Sequence, residues 1–387
     1  MSLILTITLG LGVSYAVTIL IFLSGLLIRP MGKNKSMPRV SVVIAARNEE
    51  HNIGVILNDL VHQTFPKHLY EIIIANDGSS DKTAELVSDL ARRHSNVKLL
   101  EIRNIPSHFS PKKYALQRAV QASTGEIILT TDADCRVGPN WIETMVSYFA
   151  PNVGFVIGFS QFGYKWEEQS FLERFQAIDY LMLMGVTAAT CNLGFPLAAS
   201  GQNLGFRREA FDAVNGYKSI ARRISGDDVL LLQLIRRNTT YRVVFAANLL
   251  AFAATKPMSS LRELVQQRKR WASNGSYQLY LNLPFFLYLL IVFLFNIFIA
   301  LSLLSLVIWP QQMEIVAYCL GAKAILEFGV ALASGVYFNR KDLLKHFLPW
   351  FFLQIPYVLL IGTLGTFGHF KWKERTHSAT LPHRSAR

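Results

Sequence analysis

The chain has 387 residues, of which 51% are apolar, and it carries a formal net charge of +13. This combination favours a membrane protein with basic surfaces beside the bilayer and argues against a soluble nucleic-acid binder, because the basic residues flank apolar segments instead of forming one stripe. Three widely spaced cysteines argue against a disulfide framework or a cysteine metal site.

Residues 1–30 are predicted to form an N-terminal transmembrane helix. The stretch from Leu3 to Ile28 is almost wholly apolar and long enough to span a bilayer. No basic residue precedes it, whereas Arg29 and Lys33 follow it, which is the reverse of a secretory signal peptide. The positive charge predicts an external N-terminus and a cytoplasmic main domain in a bacterial cytoplasmic membrane.

Residues 279–368 are predicted to hold further membrane helices, followed by a basic tail at 369–387. The last apolar stretch, 347–367, contains Pro349 and Pro356 and is followed by basic residues. If all three stretches crossed the bilayer, this tail would lie outside, against the positive-inside preference. A re-entrant or interfacial segment is therefore predicted there. Lys323 and Glu327, four residues apart in another stretch, are predicted to pair with each other.

Residues 38–255 show the composition of a globular α/β domain. Strand-like runs at 40–45, 71–75, 97–102 and 127–131 alternate with helical patterns at 53–61, 82–94 and 114–122. This alternation predicts a parallel sheet, whose ligands bind beyond the carboxyl ends of the strands. Glu49, Asp77 and Asp132 each follow a strand, so we expect them to line one crevice.

Asp132 and Asp134 end the apolar run that begins at Ile127. Two carboxylates so close repel each other unless a cation lies between them, and oxygen ligands suit Mg²⁺ or Mn²⁺. Such an ion commonly holds the phosphates of a nucleotide. Taken alone, however, so short a motif favours a solvated loop with two acids.

Other polar positions have a plain and a functional interpretation. Asp77 fits either a turn or the N3–H of a pyrimidine base, and Lys112 fits either solvent or a phosphate. Asp228 opens an apolar helix, where it could be a cap or a general base. In the interfacial segment predicted at 256–278, Arg270 and Trp271 could anchor the chain at the bilayer or bind a diphosphate and a sugar ring.

The ordered set of these motifs resembles the family 2 glycosyltransferases, over about residues 38–275. The set runs Val42 to Glu49, Asn76-Asp77-Gly78, Lys112-x-x-Ala-Leu116, Asp132-Ala-Asp134, Gly226-Asp227-Asp228 and Gln267-Arg268-Lys269-Arg270-Trp271. It is most similar to the membrane-integrated branch of cellulose, hyaluronan and chitin synthases and ceramide glucosyltransferases. The resemblance implies a Rossmann-like GT-A domain flanked by transmembrane helices.

The resemblance also implies roles for individual residues. The donor would be bound by Ala45, Arg47, Glu49, Asp77, Lys112, Asp132 and Arg270, the metal by Asp132 and Asp134, and the acceptor by Gly201, Gln202, Asn203, Gln267 and Trp271, with Asp228 as catalytic base. Two positions depart from the usual motifs. Asn76 stands where an Asp is usual, and Asp227 stands where a Glu is usual.

The function these motifs imply is metal-dependent, inverting transfer of a sugar from a nucleotide-diphosphate sugar, with UDP preferred. The acceptor is a hydroxyl of a lipid or a polysaccharide, and membrane lipids are expected partners. Three alternatives remain open: a processive polysaccharide synthase with a channel, a nucleotidyltransferase, and a non-catalytic membrane scaffold. A nucleotidyltransferase would normally carry a Gly-rich N-terminal loop, which 45–49 does not resemble.

Overall fold

The protein is described by a computed structural model that covers residues 2–163, 170–372 and 375–378. The chain divides into two compact units. We call Ile28–Glu168 with Thr190–Pro257 the sheet unit, and Met1–Leu27, Gln169–Ala189 and Met258–Arg387 the helical unit.

The helices are numbered in chain order. They are α1 Leu3–Leu26, α2 Ile53–Val61, α3 Thr83–Arg93, α4 Pro111–Ala122, α5 Trp141–Val146, α6 Phe171–Asn192, α7 Arg208–Ala213, α8 Val229–Asn238, α9 Leu261–Ala272, α10 Gln278–Leu281, α11 Leu283–Ser305, α12 Met313–Tyr337 and α13 Phe347–Phe367.

The strands are numbered in the same way. They are β1 Val40–Ala46, β2 Tyr70–Asn76, β3 Val97–Glu101, β4 Ile127–Thr130, β5 Arg136–Val137, β6 Val153–Gly158, β7 Ser160–Phe162, β8 Leu204–Arg207, β9 Arg242–Ala246, β10 Ala253–Thr255, β11 His369–Trp372 and β12 Arg375–Ser378. The remainder of the predicted basic tail, 373–374 and 379–387, lies outside the described residues.

The sheet unit is built on a seven-stranded sheet in the order β3-β2-β1-β4-β8-β6-β9. Strands β1 to β4 run parallel, as predicted, and β2 and β4 are buried along their whole length. A parallel sheet covered on both faces selects such continuous apolar strands. Helix α2 contributes Ile53, Ile56 and Leu60 to the same core.

Strand β8 departs from the predicted parallel sheet, because it runs antiparallel between β4 and β6. Gly205 permits this insertion. A Cβ atom there would lie 2.5 Å from the Leu129 side chain of the neighbouring strand. The residues just before β8 are thereby brought beside the end of β4. The α/β fold class is confirmed, with a mixed sheet in place of a wholly parallel one.

The helical unit contains helices that are long and apolar enough to cross a membrane. Among the described residues there are four such candidates, Leu3–Leu26, Leu283–Ser305, Pro310–Tyr337 and Lys341–Thr366. The predicted pairing inside α12 is confirmed, since Lys323 Nζ lies 2.7 Å from Glu327 Oε1 and both side chains are buried. Tyr15 of α1 and Gln354 of α13 bond to the same pair, so it links three helices.

The final apolar segment is one continuous helix, α13, with Pro356 inside it. This continuity does not agree with a re-entrant hairpin, and whether the helix lies in the interface stays a prediction. The glycines near its end serve packing. A Cβ at Gly362 would lie 2.7 Å from the Phe293 ring of α11, and one at Gly365 would lie 2.4 Å from Ala272 Cβ of α9.

We expect Gly365→Ala to destabilise the helical unit by about 1–3 kcal/mol, because the added methyl group would force α13 and α9 apart. Gly321→Ala in α12 is the matched control, since a Cβ atom added there would meet no described atom within 4 Å. Thermal unfolding of both variants in detergent checks this. Equal midpoints for the two variants would contradict close packing at Gly365.

Candidate active site

The first part of the site lies at the carboxyl ends of β1 and β2. Arg47 Nη1 donates to the Asp77 carbonyl oxygen at 2.8 Å and lies 3.9 Å from Asp77 Oδ2. The Asp77 side chain is buried, and the Asp77 backbone N–H donates to the Ala46 carbonyl oxygen. Ala45 is the only residue of β1 that is not fully buried. These positions are brought together as the sequence predicts.

Hydrogen bonds join the two loops that carry Arg47 and Asp77. Asn48 and Gly78 both have positive φ angles, of 52° and 61°. The Asn48 backbone N–H donates to Ser79 Oγ, and the Asn48 side-chain oxygen Oδ1 accepts from the Ser80 backbone N–H. Asparagine and glycine are the residues that tolerate this left-handed conformation at least cost.

Asn76, the departure from the usual acidic motif, has a structural role. Its Nδ2 donates to Glu101 Oε2 at 2.9 Å, while its Oδ1 accepts from the Ser79 amide at 3.2 Å. An ionised aspartate at this position could accept from Ser79 but could not donate to Glu101. An aspartate would repel Glu101, so the substitution fits its own surroundings.

The second part of the site is a chain of alternating charges. Lys112 Nζ lies 2.8 Å from Asp132 Oδ1 and 2.9 Å from Asp227 Oδ2. Lys112 belongs to the first turn of α4, Asp132 follows β4, and Asp227 precedes α8. One ammonium group therefore joins segments that are 95 residues apart along the chain, between Asp132 and Asp227.

The pKa values of these acids reflect different surroundings. Burial, followed by the negative charges of Asp132 and Glu49, raises the pKa of Asp134 to about 6. Burial also acts to raise the pKa of Asp227, but the ammonium groups of Lys112 and Lys113 outweigh it and hold that pKa at about 2. Asp134 thus lies in an anionic region that a cation would neutralise.

Asp132 and Asp134 fit a hard divalent cation. Both supply carboxylate oxygens, and Asp134 is destabilised as an anion by its acidic neighbours. Among the described residues no three His, Cys, Asp or Glu side chains converge as a metal site. Carboxylate oxygens of this kind suit Mg²⁺ or Mn²⁺, which proteins commonly hold through one or two carboxylates plus phosphate oxygens of a ligand.

Asp228 is fixed at the start of α8. Its Oδ1 accepts from the Val229 amide at 2.6 Å, and its Oδ2 accepts from the Gly201 amide at 2.9 Å. Burial and the neighbouring charge of Asp227 raise its pKa. A carboxylate that is held in place and made more basic has the properties of a general base.

Gly201 lies beside the charged groups of Asp227, Asp228 and Lys112. A Cβ atom at this position would lie 3.3 Å from Asp227 Oδ2 and 3.7 Å from both Asp228 Oδ2 and Lys112 Nζ. The absence of a side chain therefore leaves space next to the carboxylate of Asp228. Gln202 follows, and its carbonyl oxygen accepts from Thr131 Oγ1 at 2.8 Å.

Asn203 has a supporting position. Its side chain is fully buried, and its Nδ2 donates to the carbonyl oxygens of Phe159 and Ala251 at 2.8 and 2.7 Å. Its Oδ1 accepts from Trp141 Nε1. These three bonds occupy the amide, so the side chain holds the loop and does not face an acceptor, which differs from the direct contact expected.

Lys113 is a site residue that the sequence reasoning missed. Its ammonium group is buried and donates to the carbonyl oxygens of Arg223 and Ser225, at 2.5 and 2.9 Å. Burial lowers its pKa to about 7. It ties the segment before Asp227 to α4. The signal was the pair of adjacent lysines, since neighbours on a helix point about 100° apart.

Glu49 takes part in the helix start after β1. Its Oε2 accepts from Asn52 Nδ2 at 2.9 Å, and its amide donates to Thr83 Oγ1 at 2.8 Å. Its charge also acts on Asp134, which places it at the same strand-end edge.

Gln267, Arg270 and Trp271 lie on α9 in the helical unit, not in the sheet unit. The Arg268 guanidinium is 4.3 Å from the centre of the Trp271 ring. The roles of these three residues toward donor and acceptor stay predictions.

The fold is similar to that of GT-A glycosyltransferases. The mannosyltransferase PcManGT from Pyrobaculum calidifontis, solved in complex with GDP-Man and Mn²⁺, superposes with a TM-score of 0.58 at 18% identity. That alignment covers 90% of this chain and 98% of the other. Residues 41–214 match the family described as glycosyl transferase family 2. This part of the chain is therefore a glycosyltransferase family 2 domain.

Two curated relatives extend the similarity beyond that domain. A probable glycosyltransferase, YdaM of Bacillus subtilis, is 28% identical over 63% of this chain and 56% of its own length. Beta-monoglucosyldiacylglycerol synthase of Trichormus variabilis is 28% identical over 64% of this chain and 51% of its own. The chain thus spans about half the length of the curated relatives it matches.

Proposed function

We propose that this protein transfers one sugar from a nucleotide-diphosphate sugar to a lipid hydroxyl with inversion at the anomeric carbon, dependent on a divalent metal. The observation that carries the proposal is the fixed Asp228 carboxylate beside the Asp132–Lys112–Asp227 chain. This arrangement supports Asp228 as the base, next to groups suited to a metal and a diphosphate.

The donor site would use both parts of the strand-end edge. Ala45, Arg47, Glu49 and Asp77 would hold the nucleoside, with the Asp77 carboxylate accepting from a pyrimidine N3–H, which favours UDP. Asp132 and Asp134 would hold Mg²⁺ or Mn²⁺, whose positive charge would stabilise the leaving diphosphate. Arg270 would add a second cationic contact to that diphosphate.

Asp228 would accept the proton of the acceptor hydroxyl as its oxygen attacks the anomeric carbon. The bond from that carbon to the diphosphate oxygen breaks, and the nucleoside diphosphate leaves with the electron pair. Lys112, already beside Asp132, would offset charge as it develops there. A single displacement inverts the anomeric configuration and needs no covalent sugar–enzyme intermediate.

Two observations support a lipid acceptor and a membrane location. Four helices in the described part of the chain have the length and composition of membrane spans. A matched relative is named for the synthesis of beta-monoglucosyldiacylglycerol, which is a glycolipid. Gly201 and Gln202 would line the acceptor side with Gln267 and Trp271, and the sheet unit would face the cytoplasm.

Purified full-length protein in nanodiscs tests the proposal by release of nucleoside diphosphate from a panel of UDP- and GDP-sugars. We expect release with one donor, stimulation by a lipid extract, and loss with EDTA that Mn²⁺ or Mg²⁺ restores. Mass spectrometry of the lipid should show one added hexose. A ladder of sugars would instead indicate the processive synthase, and no release from any donor would support the scaffold.

A further inference from the structure

Arg268, inside the Gln-Arg-Lys-Arg-Trp run of α9, is buried, with only 4% of its surface exposed. A buried guanidinium is costly unless a counter-charge accompanies it. Arg268 Nη2 lies 3.0 Å from Asp179 Oδ2 of α6, and both residues belong to the helical unit. Asp179 is 89 residues before Arg268, and no motif singles it out.

The Asp179 carboxylate is shared with the last helix. Trp350 Nε1 donates to Asp179 Oδ1 at 3.2 Å, and the Tyr357 hydroxyl donates to Asp179 Oδ2 at 3.4 Å. Both donors are on α13. One carboxylate therefore links α6, α9 and α13, and the close approach of Gly365 to Ala272 holds α13 on α9 independently.

The Arg268 guanidinium, which pairs with Asp179, also contacts the Trp271 ring. It lies 4.3 Å from the centre of the Trp271 ring, within the range of a cation–π contact. The Tyr180 ring, adjacent to Asp179 in sequence, lies 5.9 Å from the same ring. The Trp271 ring is thus connected to α6 by two contacts, through Arg268 with Asp179 and through Tyr180.

We infer that Asp179 is a positioning residue for the acceptor side, acting through Arg268 on the Trp271 ring. This inference rests on the proposed function, in which Trp271 contacts the acceptor. Without the Asp179 charge, Arg268 is left buried without its ionic partner and must shift. The guanidinium then leaves the face of Trp271, and of these two contacts only that with Tyr180 remains.

The test compares Asp179→Asn with the wild type by steady-state kinetics. The asparagine keeps an oxygen for Trp350 or Tyr357 but lacks the charge. We expect the acceptor KM to rise about tenfold, while the donor KM and acceptor-independent donor hydrolysis stay within about twofold. Asp342→Asn, which removes an ion pair with Arg340 in the same unit, is the control and should leave both KM values unchanged.

Arg268→Lys separates positioning from stability. Lysine keeps the charge toward Asp179 but lacks the flat group that covers the ring. We expect wild-type thermal stability and an acceptor KM raised about threefold or more. A wild-type acceptor KM in Arg268→Lys would mean that the pair serves stability only, and would overturn the inference.

A double-mutant cycle with Trp271→Ala gives the last criterion. If Asp179 acts through Trp271, Asp179→Asn adds less than about twofold to the acceptor KM of Trp271→Ala. Full additivity would contradict the inference. A wild-type enzyme that releases no nucleotide and transfers no sugar would instead contradict the proposed function itself, so the two failures are distinguishable.

Discussion

Asp228→Asn is expected to lower the turnover of sugar transfer by about 10²- to 10⁴-fold, the usual contribution of a general base. The amide cannot accept the acceptor proton, although its oxygen can still accept one of the two backbone bonds from Gly201 and Val229. Donor affinity should therefore be retained. Single-turnover transfer and calorimetric binding of the nucleoside diphosphate measure the two effects separately.

Asp89→Asn is a suitable control for that variant. Asp89 is an aspartate of the sheet unit that pairs on the surface with Arg92, one helical turn away. Its replacement should leave both turnover and donor binding unchanged. Wild-type turnover in Asp228→Asn would show that the acceptor proton is lost to another group.

Asp132→Asn is expected to lower kcat/KM for the donor by at least about 10²-fold. This is the scale of losing one electrostatic contact to a charge that develops in the transition state. The variant loses an anionic oxygen for the metal and one of the two partners of Lys112. Because the metal site is weakened and not removed, raising the Mn²⁺ concentration should recover part of the activity. Metal titrations of the initial rate measure this.

Glu126→Gln provides the comparison, because Glu126 stands at the opposite end of the same strand, β4. It pairs with Arg207 and is largely exposed. We expect its activity and its metal dependence to match the wild type. An unchanged metal requirement in Asp132→Asn would exclude this carboxylate as a metal ligand.

The four parallel strands β1 to β4 and much of the site were predictable because both follow from local patterns. Apolar runs between helical segments place β1, β2 and β4 side by side, and polar residues at their ends must then share an edge. Glu49 and Asp77 are examples. The assignment of residues to donor and acceptor binding came from the resemblance of the whole ordered set of motifs to a known family, because each motif alone also fits a turn, a cap or a solvated loop.

Other features depend on contacts between distant segments and could not be predicted. Strand β8 is antiparallel because the chain returns beside β4 in the opposite direction. The four residues of β8 do not by themselves determine this direction. The same return brings Gly201 to Asp228 and leaves Asn203 buried. Lys112 and Lys113 are expected on different faces of a helix, but their partners, Asp132 and Arg223, belong to distant segments of the chain.

The long apolar helices show a feature that composition alone does not predict. Pro356 suggested an interrupted segment, but α13 accommodates the proline and uses Gly362 and Gly365 for close packing. Residues 169–189, within the region predicted as one continuous catalytic domain, belong to the helical unit. Asp179 illustrates why, since its partners are on α9 and α13.

The most direct test of the central claim is the anomeric configuration of the product. A donor with an α-linked, ¹³C-labelled sugar is incubated with the full-length protein and lipid acceptor, and the one-bond carbon–proton coupling of the product is measured by NMR. Direct displacement with Asp228 as base predicts a single β-linked sugar. An α-linked product, or activity that persists at the wild-type level in Asp228→Asn, would contradict it.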